Sequence, residues 1–134
     1  MEKKFPASLD CLEELRAFVR GFCAEQRLND ILTGELELAA NEAATNIIEH
    51  AGLKSKDHFT LALEKEKKRL SLTFRDPGKP YDFGRVATVK GAKDIQKKRP
   101  RSGMGVYIIR QLVDAVIYNA LPNRQNQLQL IKNL

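Results

Sequence analysis

The sequence predicts an α/β protein in which amphipathic helices pack against a β-sheet. Apolar residues recur at three-and-four spacing in three segments, close to residues 12–26, 35–51 and 106–116, as on one face of an α-helix. In the segments 58–64 and 69–76 they alternate with polar residues instead, as in strands that bury one face. The two periods, in one short chain, predict helices and strands that share a core.

Composition predicts one globular domain, spanning residues 1–134, with 43% hydrophobic and 30% charged residues. No apolar run approaches the length of a membrane span, and residues 1–16 lack the apolar middle of a signal peptide. We therefore expect a cytoplasmic protein that does not contact membranes. Cys11 and Cys23 fall on different faces of one predicted helix without a CxxC motif or a paired His, so we expect reduced thiols.

The first elements are a short edge strand over residues 3–7, in which Pro6 limits ladder bonding, and an amphipathic helix that runs through about Gln26. Ser8 and Asp10 are both candidate N-caps of this helix. The helix should bury its apolar stripe, formed by Leu12, Leu15, Phe18, Val19 and Phe22.

A longer helix follows and contains residues 35–51. Asp30 or Thr33 can cap its start, and Gly52 suits its C-terminal cap. Its apolar face should be buried and consists of Leu36, Ala40, Ala43, Ala44, Ile47 and Ala51.

A polar stripe runs beside that apolar face, because Glu42, Asn46 and His50 stand four residues apart. We expect the stripe to be half-buried, at the rim of a pocket. A carboxylate and a carboxamide one turn apart can bind a hard cation or accept a proton, the chemistry needed where magnesium and a hydroxyl meet. Amphipathic helices also carry Glu and Asn on their wet side, so the helix alone leaves a surface role open.

A hairpin of two strands, 58–64 and 69–76, leads to a long loop that begins after Asp76 and runs from Pro77 to Arg101. The loop contains eight basic and two acidic residues, so it carries a net charge equal to the +6 of the whole chain. Loops of this length in compact domains are often lids or binding loops. No aromatic residue interleaves the charges after Phe83, which disfavours direct nucleic-acid binding.

The last elements are a helix and two strands. Residues 102–105 lead into an amphipathic helix over 106–116, with Gly103 and Gly105 opening it. The segments 116–121 and 127–134 resemble closing strands separated by a turn at Pro122 and Asn123.

Three short patterns stand in order: Glu-x-x-x-Asn on the long helix, Asp-x-Gly at a strand end, and Gly-x-Gly before a helix after a long loop. This order resembles the nucleotide-binding motifs of the GHKL ATPase superfamily, which includes gyrase and histidine kinases. The segments 41–51, 74–84 and 101–116 are most similar to those of the small bacterial anti-sigma factor serine/threonine kinases. A histidine kinase would need an upstream helical hairpin bearing the phosphorylated His, and only a strand and one helix are predicted before Glu35.

The resemblance implies roles for five residues on the long helix and at the end of the second hairpin strand. Asn46 would be the magnesium ligand, and Glu42 the general base that takes a proton from a serine or threonine hydroxyl. Asp76 would accept a hydrogen bond from the adenine amino group, and Gly78 would let the backbone approach the base. A turn-capping Asp76 is the simpler alternative. His50 follows the family pattern, and both a packing role and a water contact are open for it.

The resemblance also assigns the segment 101–105 to the nucleotide phosphates. Gly103 and Gly105 would bring backbone N–H groups to the phosphates at a helix N-terminus, although they could also serve only as helix-entry glycines. The charge of Arg101 suits the γ-phosphate. Ser102 and Met104 belong to the same predicted nucleotide-binding segment.

As a whole, the resemblance implies a two-layer α/β sandwich of the GHKL (Bergerat) type, with a mixed, largely antiparallel sheet, helices on one face and a lid over ATP at about residues 77–101. It implies an Mg²⁺-ATP-dependent kinase that phosphorylates an anti-sigma-factor antagonist, sequesters a sigma factor and forms a homodimer. The alternative is a non-catalytic, ATP-gated module that only binds a partner. The family's last strand usually carries a Thr near the adenine-binding Asp, where this chain has Asn126 or Gln127.

Overall fold

The computed structural model describes residues 1–80, 100–121, 123 and 125–134, excluding the side chains of residues 100–104. Most of the predicted lid therefore lies outside the described residues. The elements in chain order are β1 (Glu2–Pro6), a 3₁₀ helix (Leu9–Cys11), α1 (Leu12–Glu25), α2 (Asp30–His50), β2 (His58–Glu66), β3 (Arg69–Asp76), α3 (Pro100–Leu112), β4 (Ala115–Leu121) and β5 (Gln125–Asn133).

The five strands form one sheet in the order β1-β2-β3-β5-β4, and one face of it is buried by the helices. This confirms the predicted two-layer α/β fold. All four pairings between the described strands are antiparallel, so the parallel pairing of a mixed sheet is not found among them. The strands β3 and β4 run in the same direction, because β5 lies between them and is antiparallel to both.

Aromatic side chains pack along the first three strands of the sheet. The ring centroids of Phe5 and Phe59 lie 5.8 Å apart, and those of Phe59 and Phe74 lie 6.3 Å apart. Phe18 of α1 meets Phe5 edge-on with centroids 5.9 Å apart, which joins the helix layer to the sheet. The alternation read from the sequence therefore corresponds to one buried face.

The start of α2 differs from the sequence prediction. Its N-cap is Asn29, whose Oδ1 accepts a hydrogen bond from the Leu32 backbone N–H at 2.8 Å, rather than Asp30 or Thr33. Asn29 has the extended backbone that an N-cap residue needs, and Asp30 is already helical. The predicted closure by Gly52 is confirmed, since this residue follows the helix with a φ of +68°.

The start of α3 also differs from the prediction. The helix begins at Pro100, three residues before Gly103, so the two glycines lie inside its first turns instead of opening it. Proline suits a first helical position because its fixed φ matches the helix and its missing N–H would have no partner there. The closing strand β5 begins at Gln125, two residues earlier than predicted, and Asn123 lies in the turn before it.

The two cysteines, Cys11 and Cys23, are buried free thiols. Burial raises the pKa of both, which keeps them protonated and unreactive. Among the described helices, none has the length and apolar character to cross a membrane.

Candidate functional site

The end of β3 places a buried carboxylate beside a sharp turn. Asp76 is only 3% exposed, and its Oδ1 accepts hydrogen bonds from the Gly78 backbone N–H at 2.8 Å and from Asn126 Nδ2 at 3.0 Å. Burial raises the pKa of Asp76, while the hydrogen bonds from Asn126 and Gly78 act in the opposite direction. The carboxylate is therefore a fixed acceptor in a largely dry environment.

Asn126 lies directly beside Asp76 on the neighbouring strand, because the register of β3 and β5 pairs these two residues. Asn126 is 2% exposed, and its Nδ2 also donates to the Gly78 carbonyl oxygen at 3.0 Å. The neighbouring Gln127 instead accepts a hydrogen bond from Arg75 Nε at 2.9 Å on the other side of the sheet. Of the two residues left open by the sequence, Asn126 is the one beside Asp76.

Gly78 is where the chain leaving β3 contacts the end of α2. An added Cβ would press against the Ala51 carbonyl oxygen and would lie 2.8 Å from the Ala51 Cβ and 3.0 Å from Asp76 Oδ1. The next residue, Lys79, donates its backbone N–H to the Ala51 carbonyl oxygen at 2.8 Å. Only glycine fits this close approach to the end of α2.

A cavity of about 590 Å³ opens beside this contact. Gly78 and Asn126 belong to its lining, together with Ala51 and Leu121, so one wall comes from the Asp76 cluster and the rest is largely apolar. Cavities of this size, with few polar groups on apolar walls, are typical of small-molecule sites. The described lining includes neither Glu42 nor Asn46, which lie further along α2.

The polar stripe of α2 faces the first turns of α3. An added Cβ on Gly105 would lie 2.8 Å from Glu42 Oε2 and 3.5 Å from Asn46 Nδ2, so the two helices are in contact there. Glu42 and His50 are half-buried as predicted, whereas Asn46 is only 2% exposed and lies deeper than the rim position expected for it. The packing of α3 over α2 explains this difference.

One helix joins the two halves of the site. Asn46 and Ala51 are five residues apart on α2 and its cap, about 7.5 Å along the helix axis. The structure therefore brings the predicted site residues together in two groups. Glu42, Asn46 and Gly105 meet at the contact between α2 and α3, and Asp76 meets Gly78 at the end of β3. The side chains of Arg101, Ser102, Gly103 and Met104 lie outside the described residues, although their backbone belongs to α3.

Two contributors were not assigned from the sequence. Asn126 was one of two open alternatives, and Ala51 was expected only as part of the core. The sequence does distinguish Asn126 from Gln127. Asn126 stands two and four residues before the buried Leu128 and Leu130, so its side chain shares their face of β5. The Ala51 contact is a backbone contact and leaves no pattern in the sequence.

The described residues fit a nucleotide with a magnesium ion. Asn46 Nδ2 is buried and makes no hydrogen bond to any group that the structure describes, which is unusual for a buried amide and leaves it available to a ligand. The amide oxygen of the same side chain is a hard donor of the kind that Mg²⁺ takes, and phosphates and water commonly complete its shell. Gly105 keeps the space beside Glu42 and Asn46 free of a side chain.

An antiparallel sheet covered by helices, with a buried Asp at a strand end and a Glu-Asn pair on the central helix, defines an α/β domain of the GHKL ATP-binding class. Residues 5–132 match the model of the family described as the histidine kinase-like ATPase domain. The chain belongs to this family.

Curated relatives are serine-protein kinases of bacilli. The serine-protein kinase RsbW of Bacillus cereus (strain B4264) is 27% identical over 119 residues, covering 87% of this chain and 74% of that protein. The serine-protein kinase RsbW of Bacillus anthracis (strain A0248) is 26% identical over 119 residues, with the same coverage.

A solved structure shares the fold. The crystal structure of the SiaB-SiaC complex from Pseudomonas aeruginosa contains a chain that superposes with a TM-score of 0.65 over 100% of this chain and 89% of that chain. The sequence identity is 15%, so this likeness speaks for the fold alone.

Proposed function

We propose that this chain is a single ATP-binding kinase domain over residues 1–134, with a lid at about residues 77–101, that transfers the γ-phosphate of Mg²⁺-ATP to a serine or threonine of an anti-sigma-factor antagonist. In its other state it holds a sigma factor. It acts in the cytoplasm as a homodimer. The kinase activity of the RsbW relatives supports the reaction class.

The observation that carries the proposal is the contact of Gly105 with Glu42 and Asn46. It brings a carboxylate, a carboxamide and a helix near its N-terminus to one position. These are the groups that phosphoryl transfer needs, because its catalysis consists mostly of positioning and charge neutralisation. The helix α3 begins five residues before Gly105, and the positive end of its dipole favours a bound phosphate at that start.

The reaction assigns one task to each side chain. The substrate hydroxyl oxygen forms the new bond to the γ-phosphorus, the bond from that phosphorus to the bridging oxygen breaks, and ADP leaves. Glu42 takes the hydroxyl proton. Asn46 would hold Mg²⁺, which would supply charge neutralisation at the phosphates, and Asp76 with Gly78 would hold the adenine. Arg101 complements the γ-phosphate, and His50 with Ser102, Gly103 and Met104 completes the nucleotide-binding segments.

The test is transfer of labelled γ-phosphate from ATP to a purified candidate antagonist, comparing the wild-type protein with Glu42→Gln. This substitution keeps the shape of the side chain but removes the proton acceptor. Loss of general-base catalysis should lower the transfer rate by about 10²- to 10⁴-fold while ATP still binds. Glu49→Gln is the matched control, since Glu49 is exposed on the same helix.

Two outcomes would overturn the proposal. Normal transfer by Glu42→Gln would remove Glu42 as the base. ATP binding and ATP-dependent partner binding without any label on the antagonist would favour the non-catalytic switch module instead.

A further inference from the structure

We propose that Asn126 is a positioning residue that sets the base selectivity of the nucleotide site. It holds one oxygen of Asp76 and the Gly78 carbonyl with a single amide group, which leaves the second Asp76 oxygen, Oδ2, as the acceptor for the 6-amino group of a purine. This inference rests on the proposed ATP site and adds a residue to it.

The hydrogen bonds of the cluster account for the assignment. An amide NH₂ has two hydrogens, and Asn126 Nδ2 lies 3.0 Å from Asp76 Oδ1 and 3.0 Å from the Gly78 carbonyl oxygen, one for each acceptor. Asp76 Oδ1 receives a second donor from the Gly78 N–H at 2.8 Å. Both donors therefore act on the same oxygen and fix the rotation of the carboxylate.

Selectivity follows from the chemistry of an ionised carboxylate, which only accepts hydrogen bonds. A 6-amino group donates to it, as in adenine. A 6-oxo group, as in guanine, would face it with a second acceptor, and two buried acceptors without a donor are costly. A protonated Asp76 would lose this preference because it would itself become a donor.

Asn126 also favours the ionised form, since its N–H donates to the charged oxygen and opposes the effect of burial. Ionisable side chains on the surrounding elements are His50 at the end of α2, Asp57 and Lys79 near the cavity, and Arg75 on β3. Among the described residues, none of these charges contributes to the pKa shift of Asp76. Burial is the main influence on the pKa of Asp76, and the two hydrogen bonds oppose it.

The experiment measures the dissociation constants of Mg²⁺-ATP and Mg²⁺-GTP by calorimetry from acidic to neutral pH. It compares the wild-type protein with Asn126→Leu, which has nearly the same shape but no donor. Gln127→Leu is the matched control, because it is the same kind of change one residue further along β5 on the opposite face. Thermal unfolding of each variant checks the fold.

For Asn126→Leu we expect ATP affinity to fall by about 10- to 100-fold, the range for one hydrogen bond to a charged group. The ratio of ATP to GTP affinity should fall, and the loss of ATP binding in acid should begin at higher pH, since Asp76 protonates more easily without its donor. Gln127→Leu should match the wild-type protein in all three readouts.

A second variant, Asn126→Asp, keeps the shape of the side chain and should reverse the pH dependence of ATP binding. The introduced carboxyl would stand beside Asp76, and two adjacent carboxyls cannot both ionise cheaply, so one pKa rises strongly. While it is protonated it can donate to Asp76 as the amide does. ATP binding by this variant should therefore weaken as pH rises, and the result does not depend on whether Asn126→Leu folds.

Several results would overturn the inference. One is an Asn126→Leu variant that binds ATP with the affinity and pH profile of the wild-type protein. Another is a loss of ATP and GTP binding by equal factors at every pH, which would indicate a purely structural role for Asn126. Wild-type protein that binds no ATP would instead refute the proposed function, so the two failures are distinguishable.

Discussion

Gly105 of α3 lies against Glu42 of α2, so close that a methyl group at residue 105 would approach Glu42 Oε2 to 2.8 Å. Sequence separation between the two residues is large, and only the packing of the helices brings them together. The contact ties the position of the proposed base to the position of α3. Small changes at this contact should therefore affect chemistry before they affect folding.

Gly105→Ala should lower the rate of phosphate transfer by about 10- to 100-fold, because the added methyl group displaces Glu42 from its working position. Helix propensity favours Ala over Gly by up to about 1 kcal/mol, which offsets the cost of moving the Glu42 carboxylate, so the free energy of unfolding should change little. Single-turnover transfer and urea unfolding measure the two effects. Gly21→Ala is the control, since nothing lies within 4 Å of its added Cβ; equal rates for both variants would contradict the prediction.

Gly78→Ala should reduce the free energy of unfolding by about 1–3 kcal/mol, as overpacking does elsewhere. Its methyl group would collide with the Ala51 backbone, which cannot move without disturbing the end of α2. Urea unfolding measures the loss. Gly34→Ala, a helical site with nothing within 4 Å, should show none.

Asp76→Asn should abolish ATP selectivity and stabilise the fold at neutral pH. Burial raises the pKa of Asp76 above its ordinary value of 3.8, so the folded state binds this proton more tightly than the unfolded state does. The wild-type protein therefore loses stability as pH rises from 3.8 through the raised folded-state value. The stability advantage of the variant should grow over that window and then level off.

Urea unfolding of the wild-type protein and of Asp76→Asn at a series of pH values tests whether the stability advantage of the variant grows with pH. An advantage that shrinks with rising pH would show that Asp76 is stabilised as a carboxylate in the folded state.

Asn46→Ala should weaken the magnesium-dependent part of ATP binding by roughly tenfold or more and leave the magnesium-free part nearly unchanged. The reason is that in the proposed site the Asn46 amide oxygen binds Mg²⁺ and does not contact the adenine. Calorimetry with Mg²⁺ and with EDTA separates the two parts. Asn41→Ala is the control, because Asn41 lies on the same helix and contacts Arg16 instead.

Local patterns were sufficient to predict the presence of the three α-helices and five strands that the structure describes, but not all of their bounds. The hairpin of β2 and β3 followed from strict alternation, and Lys67 takes the positive φ of 54° that its tight turn requires. The start of α2 was misassigned because Asn29, Asp30 and Thr33 are all good caps by residue type. Only the backbone conformation distinguishes among them.

The sequence predicts which residues belong to the candidate site, but not how deeply they are buried or which residues they contact. The spacing of Glu42 and Asn46 gave a shared helix face, whereas the burial of Asn46 depends on where α3 packs. Whether Asn126 or Gln127 stands beside Asp76 depends on which face of β5 is buried. These properties arise from tertiary packing, which a single local pattern does not encode.

The side of the sheet on which Asn126 appears is decided by Leu128 and Leu130, the core residues of the same strand. A single residue inserted between Asn126 and Leu128 would let the leucines keep their places while turning the amide away from Asp76. The proposed base recognition thus depends on the register of β5 as much as on the identity of residue 126. Lengthening the connection between β4 and β5 instead would leave that register intact, so an insertion there should preserve the proposed nucleotide binding.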